Sequence, residues 1–315
     1  MTGLAEAVEQ YLAMRRSLGF QLRHATRELP RFAAFLEQEG SEHVTTRLAL
    51  RWAMEDPASS SVTRSDRLAM VRRFAQWRSA TDPRTEVPPR GLVPRRYQRP
   101  TPYIYSDAQV KSIVSQARHL SSPLGIRGLT CATLFGLLAV SGMRIGEAVA
   151  LNDDDVDLGA GVLTIRQGKN GKSRLVPIQS TTKAALAEYA ERLVALLPKT
   201  KPPFFFVSER GQRMSAWCAG DNFVRVLRSI GLREPRDDGR RGRGPRMHDL
   251  RHRFAVTTLI RWYRAGVDVE REIPKLATFL GHTHVDEVYW YLQAIPELLV
   301  AATDRSRLDA MGGTR

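Results

Sequence analysis

Three short segments combine the residue types that chemistry on a phosphate ester needs. Ser141-Gly142-Met143-Arg144-Ile145-Gly146-Glu147 sets an arginine after an apolar run, with a carboxylate three residues on. On a helix that spacing brings Glu147 beside Arg144 and fixes the guanidinium. A plain surface ion pair has the same signature. His248-Asp249-Leu250-Arg251-His252 puts His248 and Arg251 on one helical face, with His252 adjacent. A guanidinium grips two oxygens in its planar fork, while an imidazole donates or accepts a proton. His248 and His252 also have the i,i+4 spacing of a zinc pair, but the glutamate a zinc-protease helix carries between them is absent. The third segment, Leu280-Gly281-His282-Thr283-His284, precedes Tyr289, Trp290 and Tyr291, aromatics of a kind more often core than catalytic. A separate acidic run, Asn152-Asp153-Asp154-Asp155, admits another chemistry, a nuclease holding Mg²⁺ on carboxylates, or else a solvated turn after Leu151.

These segments need a scaffold, and the pattern of the chain predicts one. A long apolar helix, about Gly128 to Val140, leads into Arg144, and Ser106-Asp107-Ala108-Gln109 reads as a cap and first turn before an earlier helix. Val162-Leu163-Thr164-Ile165-Arg166 and Arg174-Leu175-Val176-Pro177-Ile178 flank Lys169-Asn170-Gly171-Lys172, the signature of a β-hairpin with a turn containing Asn-Gly. Phe204-Phe205-Phe206-Val207 is a candidate third strand, and Gly231 to Met247 a loop. Within that loop Arg240-Arg241-Gly242-Arg243-Gly244-Pro245-Arg246 lies just before His248, as a flexible loop or as a contact to a nucleic-acid backbone.

The first eighty residues are helical by periodicity. Leu4, Val8, Tyr11 and Leu12 share one face, and Leu29, Phe32, Ala33 and Leu36 repeat the pattern. A third segment surrounds Leu48 to Trp52. A fourth runs from about Val62 to Trp77, with Leu68, Val71, Phe74 and Ala75 inward. Its other face carries Arg64, Arg67, Arg72, Arg73 and Arg78 against a single acid, Asp66, and is either solvated or set against phosphates. From Thr81 to Tyr105 six of the chain's 17 prolines accompany five arginines, which predicts an extended interdomain linker.

A chain of 315 residues with 43% hydrophobic and 26% charged residues is globular, and two domains are expected. The 48 basic and 33 acidic residues leave a net charge of +15, which suits a polyanionic partner such as nucleic acid. Positive charge covers the whole length, with net +3 over 1–80, +3 over 81–105 and +9 over 106–315. Cys131 and Cys218 match no zinc or disulfide spacing, the N-terminus lacks the apolar core of a leader, and Leu129 to Met143 is too short to cross a bilayer. A cytoplasmic, nucleoid-associated protein is expected.

Taken in order, these segments resemble the tyrosine recombinase family of phage integrases and Xer-type recombinases. SGMRIGEA resembles its first box, HDLRHRFA its second, LGH followed nine residues later by tyrosine its last, and GKNGKSRLVPI its β-hairpin. Position by position, the resemblance implies that Arg144 and Arg251 clamp phosphate and that Lys169, with Lys172 as rival, is the general acid. It makes His248 and His282 the box histidines, Tyr291 the nucleophile and Glu147 the support of the first arginine. It implies a mainly α fold with a small antiparallel β-sheet, a helical core-binding domain over 1–80 and a mixed α+β catalytic domain over 106–315. The partner is double-stranded DNA, contacted by Arg64, Arg67, Arg72, Arg73, Arg240, Arg241, Arg243 and Arg246. No cofactor and no metal are required, and four protomers on two DNA sites form the working unit, with partner recombinases or accessory DNA-bending proteins as further partners. The tail from about residue 296 is expected to bury Leu298, Leu299 or Val300 on a neighbouring subunit. The chain departs from the family in His284-Val285-Asp286-Glu287, where carboxylates stand near a phosphate site. Three other readings remain: relaxation of DNA in the manner of a type IB topoisomerase, a DNA-binding module without catalysis, and the metal-dependent nuclease.

Overall fold

The structure, a computed structural model, describes residues 3–96, 101–166, 173–197, 202–234, 244–282, 284–294 and 298. The chain divides into two compact units, Met1–Pro100 and Thr101–Arg315.

In the first unit, α1 (Leu4–Ser17), α2 (Arg23–Gln38), α3 (Thr46–Met54) and α4 (Ser61–Arg78) enclose one core. The faces expected from periodicity are the buried ones: Leu4, Val8, Tyr11 and Leu12 on α1, and Leu29, Phe32, Ala33 and Leu36 on α2. Thr45 and Ser60 cap α3 and α4 by accepting from the otherwise orphaned N–H groups of Leu48 and Thr63. The arginine face of α4 is less open than its sequence suggests. Arg78 is buried and lies 3.7 Å from Asp82. Arg67 reaches toward Glu28 at 3.7 Å and lies over the Trp52 ring, and Arg64 donates to Pro57 O at 2.7 Å. Arg72 donates to Pro88 O and Pro89 O, each at 2.6 Å, so it fastens the proline-rich strap to the helix; Arg73 is exposed. Glu86 adds a further tie, accepting from Thr46 N at 2.7 Å, and Val93 packs on the same core. Residues 81–96 thus belong structurally to the first unit.

The second unit is mainly helical, with a small antiparallel sheet. A capping box of Ser106 and Gln109 starts α5 (Asp107–Arg118), and α6 (Ile126–Ser141) is buried on almost every side. A short α7 (Ile145–Ala148) follows. The sheet runs in the order β1 (Val156–Asp157), β2 (Val162–Ile165), β3 (Arg174–Pro177), with Val162 opposite Pro177 and Ile165 opposite Arg174. The third strand is therefore Val156–Asp157, not Phe204–Val207, which makes only isolated bridges from Phe204 to Asn152 and from Val207 to Arg213. Phe205, Phe206 and Val207 are all buried in the core with Tyr189, and a strand open on one face needs alternation. α8 (Ser180–Leu196) and α9 (Ala216–Ser229) complete this core.

A further cluster joins α10 (Asp249–Arg264), α11 (Val269–Leu280) and α12 (Asp286–Ala294). Leu298 is fully buried in it. Leu299 and Val300 lie outside the described residues. No described helix is long and apolar enough to cross a membrane.

Candidate active site

The site is assembled where α6 and α11 end. Gly142 terminates α6 with φ +61°, a conformation that favours glycine, and a Cβ there would lie 2.6 Å from the Phe254 ring. The chain turns at once into Arg144. Its backbone N–H donates to Glu147 Oε2 at 3.0 Å and its Nη1 to Glu147 Oε1 at 3.0 Å, so one carboxylate fixes both backbone and guanidinium.

At the end of α11, Gly281 (φ +68°) closes the helix, and the N–H groups of Gly281 and His282 return to Thr278 O and Ala277 O. The carbonyls of Phe279, Leu280 and Gly281 are left without helical donors, at the negative end of the helix dipole. Guanidinium groups fill them. Arg144 donates to Gly281 O at 2.9 Å and to Leu280 O at 3.4 Å, and Arg251 to Leu280 O at 2.8 Å. Arg251 also donates to Gly142 O at 2.8 Å, so it spans the two helix ends. A third arginine, Arg174 of β3, donates to Phe279 O at 2.8 Å and takes Glu147 bidentately at 3.0 and 2.8 Å. A Cβ on Gly281 would stand 2.7 Å from Arg174 Nη1 and would push that guanidinium from its place.

Two guanidinium groups, those of Arg144 and Arg174, therefore share one carboxylate, and Arg251 feels its charge without bonding to it. Burial raises the pKa of Glu147, but hydrogen bonds from Arg174 and Arg144 outweigh it and hold the carboxyl at about 2, against an ordinary 4.5. Arg251 is 3% exposed; burial, then repulsion from Arg144, lowers its pKa to about 10, which leaves it protonated at neutral pH. The excess of buried positive charge is what an anion would neutralise.

The Glu147 shift makes a testable statement about stability. A depressed folded pKa contributes stability that is complete above pH 4.5 and lost as the pH falls toward 2. That depression corresponds to on the order of 3 kcal/mol. Urea-unfolding midpoints of the wild type should fall through this window, whereas Glu147→Gln should begin lower and show a flatter decline. Equal slopes for the two proteins would contradict the arrangement.

The histidines divide differently from their spacing. His248 begins α10 with part of its surface exposed, and burial of its ring and then the charge of Arg251 push its pKa below the ordinary 6.5. Its ring meets that of His252 edge to face at 4.8 Å. It is His252, and not His248, that contacts a tyrosine: Nδ1 lies 2.7 Å from the Tyr291 hydroxyl. Asp249 is buried, 4.0 Å from His252 Nε2, and accepts from Arg246 Nη2 at 3.0 Å. His282 faces Glu287 across 3.5 Å, so this carboxylate is turned to an imidazole while Asp286 is exposed. Tyr291 is 1% exposed; Tyr289, two residues away on the other side of α12, is 40% exposed.

Among the expected site residues, Arg144, Glu147, Arg251, His248, His282 and Tyr291 all lie at the meeting of α7, α10, α11 and α12. Lys169 and its rival Lys172, and Arg240, Arg241 and Arg243, lie outside the described residues, and the described end of that basic run, Arg246, is exposed. Arg174 joins the site without having been singled out from sequence, and His252, read there only as the neighbour of His248, joins it through Tyr291. The acidic run forms a 3-10 turn in which Asp155 accepts from Asn152 N at 3.0 Å and Arg166 Nε at 2.5 Å. Among the described residues no three His, Cys, Asp or Glu side chains are grouped to hold a metal ion.

The sequence profile of the phage integrase family matches residues 105–297, the stretch that carries this whole cluster. The chain belongs to the phage integrase family. The integrase/recombinase y4rB of Sinorhizobium fredii is similar to this integrase-family protein over its length, with 44% identity covering 97% of each chain. The tyrosine recombinase XerD of Ralstonia nicotianae is 29% identical, over 78% of this chain and 72% of its own. Among solved structures, the Tn1549 transposon integrase in complex with transposon right-end DNA has the same fold, with a TM-score of 0.64 at 18% identity over 96% of this chain and 99% of that one. The integrase-family protein described here is a tyrosine recombinase.

Proposed function

We propose that this recombinase breaks and rejoins double-stranded DNA at specific sites through a 3′-phosphotyrosine at Tyr291, working as four protomers on two sites. The observation that carries the reading is the convergence of Arg144, Arg174 and Arg251 on one helix end, with one carboxylate among them and Tyr291 on the adjoining helix. Attack of a tyrosine oxygen on a phosphodiester sets an anionic nucleophile against an anionic centre. The barrier is largely electrostatic, and fixed cations at the non-bridging oxygens lower it without reorganisation.

In this scheme Arg144 and Arg251 bind the scissile phosphate, and His248 and His282 hydrogen-bond to it or to the reacting groups. His252 is the base in contact with the phenol and is placed to take its proton. The Tyr291 oxygen forms the bond to phosphorus as the bond to the 5′ oxygen breaks, and Lys169 protonates that oxygen. The phosphotyrosine keeps the energy of the ester, so attack by a 5′-hydroxyl of another strand restores DNA and frees the tyrosine without ATP. Arg73, Arg246 and the basic run before His248 supply backbone contacts, joined by Arg64, Arg67 and Arg72 as far as their internal hydrogen bonds permit. The relatives support this reading: one is a named integrase/recombinase, and the Tn1549 integrase was solved on DNA.

The test is covalent trapping. Wild-type protein is incubated in EDTA with nicked duplex from the sequences flanking its own gene, and the products are resolved on a denaturing gel. A protein–DNA adduct whose modified peptide contains Tyr291 is expected. Tight binding with no adduct would favour a DNA-binding module, and cleavage that appears only with Mg²⁺ would favour the nuclease. Recombinant rather than merely relaxed products separate the proposal from a topoisomerase.

A further inference from the structure

Arg174 enters the site from the hairpin, an element remote in sequence from every other group there. It opens β3, paired with Ile165 at the end of β2. Its guanidinium uses all three nitrogens: Nη1 and Nη2 span the two oxygens of Glu147, and Nε donates to Phe279 O. The side chain is 12% exposed, while its neighbour Leu175 is 64% exposed. A four-residue strand at the edge of a three-stranded sheet has little packing of its own to fix its end. Arg174 supplies the fixed point.

Holding Arg144 does not require it, since Glu147 already contacts the Arg144 backbone and guanidinium. What the added arginine joins is the hairpin to the helix end that gathers the phosphate-binding groups. Lys169 is five residues away, within about 17 Å of extended chain from this anchor.

We propose that Arg174 is a positioning residue that roots the β2–β3 hairpin at the arginine cluster, so that Lys169 delivers its proton to the departing 5′ oxygen. The inference rests on the reading of Lys169 as general acid and deepens it.

The test uses two substrates: the duplex that gives the wild-type adduct, and the same duplex with sulfur replacing the 5′-bridging oxygen of the cleaved phosphate. A thiolate leaves without being protonated, so the sulfur substrate makes no demand on a general acid. Arg174→Lys keeps a positive charge beside Glu147 but cannot make the planar three-nitrogen contact. It should cleave the oxygen substrate at least about tenfold more slowly than wild type, a part of the full contribution of a general acid. On the sulfur substrate it should return to near the wild-type rate, as should Lys169→Ala, while Arg251→Ala stays slow on both. Arg174→Ala should follow the same pattern where it folds.

Normal cleavage of the oxygen substrate by Arg174→Lys would overturn the proposal. So would equal slowness on both substrates alongside recovery of Lys169→Ala, because Arg174 would then serve the arginine cluster or the fold instead of the hairpin. If neither Lys169→Ala nor Lys172→Ala recovers on sulfur, the general-acid reading itself falls and the proposal with it.

Discussion

Tyr291→Phe is expected to abolish covalent attachment to DNA, while Tyr289→Phe should leave it at the wild-type level. Two residues apart on a helix means opposite sides, and the environments differ accordingly. The Tyr291 hydroxyl is buried against His252 at 2.7 Å, in the same cluster as α10 and α11, whereas Tyr289 is 40% exposed. Only the first has a base in contact, and only the first lies near Arg251, whose protonated form it favours electrostatically. Loss of one hydroxyl in a buried pair costs about 1 kcal/mol, so the phenylalanine variant should fold and bind DNA. Denaturing gels measure attachment and equilibrium titration measures binding. An adduct surviving in Tyr291→Phe but missing in Tyr289→Phe would move the nucleophile to Tyr289 and require α12 to turn.

Arg251→Ala should lower strand cleavage by about 10²-fold or more, the effect of removing one preorganised donor from a developing oxyanion. Arg251 is almost completely buried and held by Gly142 O and Leu280 O, so its position is set before substrate arrives. Arg144 does not replace it, because Glu147, Leu280 O and Gly281 O fix Arg144 in its own place at the phosphate. Binding should change far less than cleavage. One phosphate contact among many is lost, and the log–log salt dependence of binding becomes shallower by about 0.9. Single-turnover cleavage and salt titration together check this. Near-wild-type cleavage would remove Arg251 from the phosphate site, and an unchanged salt slope with lost cleavage would place its action off the phosphate.

Much of this molecule is legible in its sequence because the signals are local. The apolar faces of α1 and α2 follow helical spacing, the cap at Ser106 follows from a hydroxyl that meets a free N–H group, and the two paired strands lie on either side of Asn170-Gly171 in the sequence. Phe204–Val207 misled because an apolar run buried on all sides has no period to read. Arg78 misled for a related reason: a face of arginines looks solvated until an acid from beyond the helix, Asp82, turns one inward.

The sequence by itself singled out the residues proposed to carry the chemistry, since Arg144, His248, Arg251, His282 and Tyr291 match the boxes of the family it resembles in order and spacing. Beyond the local pair of Arg144 and Glu147, tertiary structure decided how they are held. Arg174 reads as one polar position in a strand, and only the packing of β3 against the end of α11 makes it the third guanidinium of the site. His252 reads as the partner of His248, and only the approach of α12 to α10 gives it to Tyr291. Glu287 reads as a misplaced charge until it faces His282. The physical reason is common to all three. Hydrogen bonds and charges act over a few ångströms, and the partners that satisfy these groups lie from 5 to more than 100 residues away along the chain.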